Sequence, residues 1–287
     1  MHKTVVITLY NDVRVIQTIN SLQRQNVMPD NILIADGGSD EDYTEVIMNA
    51  IKDMPNVEFA LLPGRCIDTR RQVIDKLKGK TDIVGFIDSD EEAIEQWFGR
   101  LIAPIVSGTA DFTGGRTCPK IKPKSRAEQI LVDIVSKTET QCKEDASYIS
   151  MGNSAWSMRV FDTIGNFDDS SVSSKTDKDK ITGSYHVSDD YDINIRALDA
   201  GFKGIFVDDA IVYHDQSHID SYKKLKDYFY GQYVRTAMAY FKHKKSIGKF
   251  TRATRNNMKI NHSFELFLLL LKPIALIHGW KEWNKLC

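Results

Sequence analysis

Long apolar runs are what this 287-residue chain most conspicuously lacks. No stretch reaches the about 18 uninterrupted apolar residues that a membrane-spanning helix requires. Met1-His2-Lys3 leads into a short strand-like run and not into an apolar segment of signal-peptide length, so a cytoplasmic protein is expected. Cysteine is scarce as well. Cys66, Cys118, Cys142 and Cys287 are scattered, with no Cys-x-x-Cys pair and no disulfide-like density, which points to a reducing compartment. A charge imbalance is also missing: 38 Lys and Arg against 39 Asp and Glu leave a formal net charge of -1, so nothing global marks a nucleic-acid partner. No internal repeat is visible.

What is present is an alternation of short apolar runs with helically spaced ones. Residues 4–10 form an apolar run ending in Asn11-Asp12, and Val15, Ile16, Ile19 and Leu22 then recur at helical spacing. Residues 31–35 give a second strand that ends in Asp36-Gly37-Gly38-Ser39-Asp40, followed by a helix through Tyr43, Val46, Ile47 and Ile51. A third strand over 57–62 precedes Pro63-Gly64-Arg65 and a helix carrying Arg70, Arg71, Lys76 and Lys78. The fourth is Ile83-Val84-Gly85-Phe86-Ile87, which discharges directly into Asp88-Ser89-Asp90-Glu91-Glu92. This rhythm predicts a parallel sheet with helices on both faces, and in such sheets ligands sit at the carboxyl ends of the strands.

An Asp-x-Asp turn at a buried strand end suits a divalent ion that keeps some waters and binds substrate phosphates. By itself it is equally an acidic turn before a helix. Asp36 beyond its Gly-Gly turn has the same double meaning, since Asp is also a good turn former. Further along, Gly152-Asn153, Phe161, Gly165, Phe167 and Asp168 precede a polar, charged stretch over 170–184 that reads as a linker or an active-site lid. Asp189-Asp190 then opens a helix with Ile193, Ile195, Arg196 and Leu198, ending at Gly201, and strands over 205–207 and 211–213 lead to His214. Asp189 and Asp190 are each also suited to be the helix N-cap. His214 and His218 stand four apart, but no third ligand lies nearby, so zinc is not expected.

Taken together and in this order, these pieces resemble a family 2 glycosyltransferase with the GT-A fold, over roughly residues 4–215. Tyr10-Asn11-Asp12, the Asp36-to-Asp40 turn, Arg70, Asp88-Ser89-Asp90, the Gly152-to-Asp168 segment and Asp189-Asp190 with Arg196, Gly201 and His214 carry the likeness. It implies an α/β fold with a Rossmann-like, mostly parallel central sheet flanked by helices and a helical C-terminal extension. The catalytic domain is expected over residues 1–220, with a nucleotide-sugar-binding half about 1–115 and an acceptor half about 116–220; the extension covers 221–287. On the donor side the resemblance places Tyr10, Asp12, Asp36 at the base, Arg70 at base or phosphates, Asp88 and Ser89. It assigns Asp88, Asp90 and His214 to a divalent cation, Mn or Mg. Asp190 is expected as the general base, with Asp189 as the alternative because this chain has Asp where the family usually has Glu. Arg71 replaces the family's usual Asn.

The implied activity is inverting transfer of a sugar from a nucleotide-sugar to a hydroxyl of a glycan or lipid-linked acceptor. A polyprenyl-phosphate sugar synthase shares the fold. A nucleotidyltransferase would need a glycine-rich, Arg-Lys-bearing loop that is absent. A non-catalytic sugar-nucleotide or glycan-binding module would not need Asp88, Asp90 and Asp190 together. The tail stands apart: between Tyr228 and Phe264 there is no acid, while Arg235, Lys242, Lys244, Lys245, Lys249, Arg252, Arg255 and Lys259 all fall there. An apolar stretch over 266–277, interrupted by Lys272-Pro273, follows with Trp280 and Trp283 behind it. Peripheral contact with the cytoplasmic face of a membrane is one expectation, and packing on the catalytic domain or on a second subunit is the other.

Overall fold

The computed structural model describes residues 1–142, 149–168, 187–244 and 263–286. Strands β1 (Lys3–Leu9), β2 (Asn31–Asp36), β3 (Val57–Leu61) and β4 (Ile83–Asp88) alternate with helices α1 (Val15–Leu22), α2 (Glu41–Ile51) and α3 (Cys66–Leu77). They pair in parallel in the order β3-β2-β1-β4. The chain thus builds outward from β1 and returns to its other side with β4. That reversal leaves a crevice at the carboxyl ends of β1 and β4, where Thr8 lies level with Asp88.

The two-residue side-chain period of these strands decides which helix covers which face. Val5, Ile7, Ile32, Ile34, Ile83 and Ile87 meet Ile19, Leu22, Ile47 and Leu101 on one side. Val6, Leu33, Val84 and Phe86 meet Val73, Leu77, Trp156 and Ile193 on the other. Burial on both faces is why each strand reads as a continuous apolar run and not as an alternation.

Beyond β4 the elements are β5 (Glu91–Ala93), α4 (Trp97–Val106), β6 (Phe112–Pro119), α5 (Arg126–Cys142), β7 (Asn153–Ser157), α6 (Met158–Ile164), α7 (Asp189–Asp199) and β8 (Gly204–His214). The sheet extends as β4-β7-β6-β8-β5. The parallel expectation needs correction here. Among the described residues β7 runs antiparallel to both β4 and β6, and β5 antiparallel to β8, so the sheet is mixed. Residues 205–207 and 211–213, expected as two strands, are one strand, β8. Its register against β6 jumps from Gly115 opposite Val207 to Arg116 opposite Ile211, so 208–210 bulge out of the ladder.

Helix α8 (Tyr222–Lys242) and helix α9 (Ser263–Leu286) complete the chain. Leu225, Phe229, Tyr233, Val234, Ala237 and Met238 of α8 form a third core with Ala127, Ile130 and Leu131 of α5, Tyr191 and Ile195 of α7, and Leu268 and Ala275 of α9. The extension is therefore packed on the rest of the protein. No helix among the described residues is long and apolar enough to cross a membrane. The stretch expected as a lid, 170–184, and the cations Lys245, Lys249, Arg252, Arg255 and Lys259 lie outside the described residues.

The α8–α9 crossing depends on Gly279. A Cβ there would stand 2.7 Å from the Ala237 Cβ and 2.9 Å from the Val234 carbonyl oxygen, contacts the backbones cannot tolerate without moving apart. Gly279→Val is therefore expected to destabilise the protein by about 1–3 kcal/mol, the usual cost of overpacking. Urea unfolding of the full chain checks this, and an unchanged midpoint would show that the crossing does not have the closeness described.

Candidate functional site

Two charged clusters occupy the crevice, and each is centred on one arginine. The first is Arg70 on α3, 6% exposed. Its Nη1 donates to Asp189 Oδ2 at 2.5 Å and its Nη2 to Asp88 Oδ1 at 3.3 Å, while Nε has no hydrogen-bond partner. Burial works against its charge, but the surrounding carboxylates outweigh burial and hold the guanidinium firmly protonated. Arg70 thereby joins the end of β4 to the first turn of α7, two segments 119 residues apart from Arg70 to Asp189. Asp88 is also enclosed by Gly152, where any Cβ would collide with its carboxylate. Burial raises the Asp88 pKa, and Arg70 opposes that rise.

The second cluster forms around Arg14, which the sequence did not single out. Its Nε and Nη2 grip both oxygens of Asp12, each at 2.9 Å, in a two-pronged contact that suits guanidinium and carboxylate. Nη2 also lies 3.4 Å from Asp90 Oδ2, and Nη1 donates to the Asp215 carbonyl at 3.1 Å. Ser89 donates from its hydroxyl to Asp12 Oδ2 at 3.0 Å. On the other side of Asp90, His214 Nε2 stands 3.3 Å from Oδ1, and its Nδ1 is 3.8 Å from buried Glu91. Burial alone lowers the His214 pKa, yet the Asp90 hydrogen bond and the charges of Glu91, Asp90 and Asp88 bring it up to about 9. Burial acts to raise Asp90, but His214 and Arg14 hold it below the ordinary carboxylate range. The only sequence signal for Arg14 was a cation two residues after Asp12.

Several expectations change with this geometry. Asp36 is fully buried, and both of its oxygens accept from Ser39, at 3.1 Å from the backbone N–H and 2.6 Å from the hydroxyl. The structure displays its turn-forming role through these bonds to Ser39. Tyr10 is exposed at the rim. Its neighbour Asn11 adopts φ 49°, a left-handed conformation that Asn tolerates, and exchanges side-chain hydrogen bonds with Asp40. Asp189 and Asp190 are not the N-cap of α7. Ser188 is, and both carboxylates sit in the first turn. Of the four carboxylates from Asp88 to Glu92, Glu91 turns inward as the first residue of β5 and accepts from the Asp88 backbone N–H at 3.3 Å.

The two carboxylates on α7 differ. Asp189 is spent on Arg70. Asp190 Oδ1 accepts from the Met151 backbone N–H at 3.2 Å, and burial, followed by the negative charge of Asp189, raises its pKa to about 7 despite Arg70.

No three His, Cys, Asp or Glu side chains among the described residues converge as a preformed metal cluster. Asp90 and His214 do converge, whereas Asp88 faces Arg70. One carboxylate and one imidazole, with waters and a diphosphate completing the shell, make a donor set that fits Mn or Mg, because such ions are commonly held by one or two side chains plus substrate phosphates. The imidazole ligates as the neutral form, so binding would displace its proton.

This crevice, with an Asp-Ser-Asp turn at a switch point of the sheet and an acidic helix start facing it across an arginine, has known relatives. Residues 4–165 match the family described as Glycosyl transferase family 2. The chain belongs to that family. Solved structures share its fold: mannosyltransferase PcManGT from Pyrobaculum calidifontis in complex with GDP-Man and Mn2+ (TM-score 0.58, 13% identity, covering 98% of this chain and 73% of that one). S. aureus TarS (TM-score 0.54, 11% identity, 100% and 55%) and GalNAc-T7 with UDP, GalNAc and Mn2+ (TM-score 0.54, 15% identity, 88% and 56%) are similar in the same way. The chain thus spans little more than half the length of the latter two. No curated protein sequence matches it.

Arg70 is the group whose removal distinguishes an integrated site from a set of surface charges. Arg70→Ala leaves Asp88 and Asp189 facing each other without a cation. The expected cost is about 2–4 kcal/mol, below the full penalty of a wholly buried broken pair because both carboxylates keep some water. Chemical denaturation measures it, and a loss under about 0.5 kcal/mol would be the surface-pair result.

Proposed function

We propose that this family 2 glycosyltransferase is an inverting enzyme that moves a sugar from a nucleotide-sugar, laid across the ends of β1 and β4, to an acceptor hydroxyl at Asp190. The observation that carries the reading is the division of labour on α7. Asp189 is neutralised by Arg70, while Asp190, one residue on, has only a backbone N–H on its bonded oxygen and a pKa near the working range of a general base.

In this mechanism Arg70 and Arg14 present cationic faces toward the leaving diphosphate, and the divalent ion for which Asp90 and His214 are suited supplies further positive charge there. Asp190 takes the proton of the acceptor hydroxyl as its oxygen attacks the anomeric carbon. Attack opposite the leaving group inverts that carbon. The relatives solved with GDP-Man, or with UDP and GalNAc, and with Mn2+ support a nucleotide-sugar donor and a divalent ion for this chain. A polyprenyl-phosphate acceptor arrives already ionised and would leave the raised pKa of Asp190 without a use, so the hydroxyl is the favoured acceptor.

Two outcomes test the assignment. Asp190→Asn keeps size while removing basicity, so donor affinity should persist as kcat falls by about 10²-fold or more. Because the base must be ionised, kcat of the parent should fall as pH drops through about 7, half of the effect being present there; a profile flat from pH 5 to 8 would move the role elsewhere. Separately, Asp90→Asn should abolish the dependence of GDP or UDP binding on Mn2+ in calorimetry. Unchanged metal-dependent affinity in that variant would remove Asp90 from the metal site.

A further inference from the structure

Helix α9 is apolar on two sides, and the fold covers only one of them. Leu268, Ala275 and Gly279 face α8, where Gly279 meets Val234, Ala237 and Met238. On the opposite side Phe267, Leu270, Pro273, Ile274, Ile277 and Trp280 are exposed, Ile274 and Ile277 each by more than half. Their spacing of three or four residues lines them up as one stripe along the helix. A helix with apolar residues all round needs partners on every side, and α8 supplies one.

The chemistry around the stripe indicates what covers the other side. Lys281 and Lys285 continue the same face beyond Trp280, and no acid interrupts it between Phe267 and Lys281. The residues joining α8 to α9, 243–262, carry Lys244, Lys245, Lys249, Arg252, Arg255 and Lys259 and no Asp or Glu, and they end where α9 begins. Lys285 is paired with Glu282 at 2.5 Å, so Lys281 and the basic connecting segment carry the positive border; apolar area edged in this way, with a Trp at one end of the stripe, is the composition of a helix that lies in a lipid–water interface. A second copy of this chain would bring the same cations against themselves.

We infer that the outer face of α9 docks on an anionic lipid surface. The docking has a consequence for the site. On α8, the turn that meets Gly279 includes Arg235, whose carbonyl accepts from the Ser188 backbone N–H at 3.3 Å, and Ser188 is the N-cap of the helix that starts with Asp189 and Asp190. One turn of α8 thus contacts both elements, Val234 meeting Gly279 of α9 and Arg235 meeting the N-cap of α7. An acceptor hydroxyl carried by a membrane lipid is the substrate class this arrangement fits. Only that consequence rests on the catalytic reading of Asp190; the docking does not.

Sedimentation of the full chain with vesicles tests it. Phosphatidylglycerol–phosphatidylcholine vesicles at low salt should carry the protein down, pure phosphatidylcholine should carry far less, and added NaCl should release it. Ile274→Glu with Ile277→Glu, both on the exposed face, should lower partition by about tenfold or more while leaving nucleotide affinity unchanged. Trp280→Phe gives a reading that needs no disruptive change: vesicles should shift the tryptophan emission of the parent to the blue, and most of that shift should vanish in the variant. Full-length protein that ignores anionic vesicles overturns the inference, as does parent-like binding by the double variant. A stable dimer in sedimentation equilibrium that the double variant breaks would assign the face to a second copy and overturn it too.

Discussion

The ion pairs of Arg70 hold together the two halves of the crevice. β4 delivers Asp88 and α7 delivers Asp189, and neither carboxylate lies near the other in sequence. One guanidinium, buried from α3, is the shared partner of both. Its placement at such low exposure is costly, and the compensation comes from anions that are themselves partly desolvated, so each group depends on the other two. Remove the cation and like charges confront each other at the bottom of the crevice. The unpaired Nε is the one polar atom of Arg70 that the protein leaves unused.

The same logic explains why neighbouring acids behave differently. Four carboxylates, Asp12, Asp88, Asp90 and Asp189, are engaged by arginine, and Asp90 by His214 as well. Burial raises Asp88 even so, and Glu91 and Asp190, with acidic neighbours beside them, are raised as well. Glu91 is buried beside the Asp88 N–H, and burial, followed by the charge of Asp88, raises its pKa. Asp190 stands at the start of a helix in the crevice, where the same physics yields a group able to accept a proton at neutral pH.

How much of this was legible depended on the length and burial of each element. β1 to β4 are continuous apolar runs because both faces are covered, and their strand ends carried the motifs with them. β5, with only three residues, and β7, a five-residue strand whose Asn153 and Ser154 are buried polar groups, offered no such run. Both enter antiparallel, so the expected parallel rhythm failed where they join. Asp88, Asp90, Arg70, Asp189, Asp190 and His214 were singled out because they fall, in order, where the resemblance to the family has its motifs. Arg14 escaped because a lone cation in a turn has no periodicity; its meaning comes from Asp90 and Asp215, which are distant in sequence and adjacent only after β4 and β8 are placed. Asp36 shows the reverse case, a motif residue whose nearest partner, Ser39, was three residues away all along.

Glycine carries information of another kind, the closeness of groups that a side chain would keep apart. Gly152 lies against the Asp88 carboxylate, and Gly279 lies against α8. The first contact enables the chain entering β7 to pass directly against the Asp88 carboxylate. The second lets α9 sit close on α8, while Leu270, Ile274 and Ile277 stay exposed on its far side. In both places the absence of a methyl group determines what a charged or apolar group elsewhere must face, and neither absence shows a pattern in sequence. The crevice and the tail therefore share α8 as a common wall: its Arg235 carbonyl accepts from the N-cap N–H of the helix bearing Asp190, and Val234 in the same turn meets Gly279.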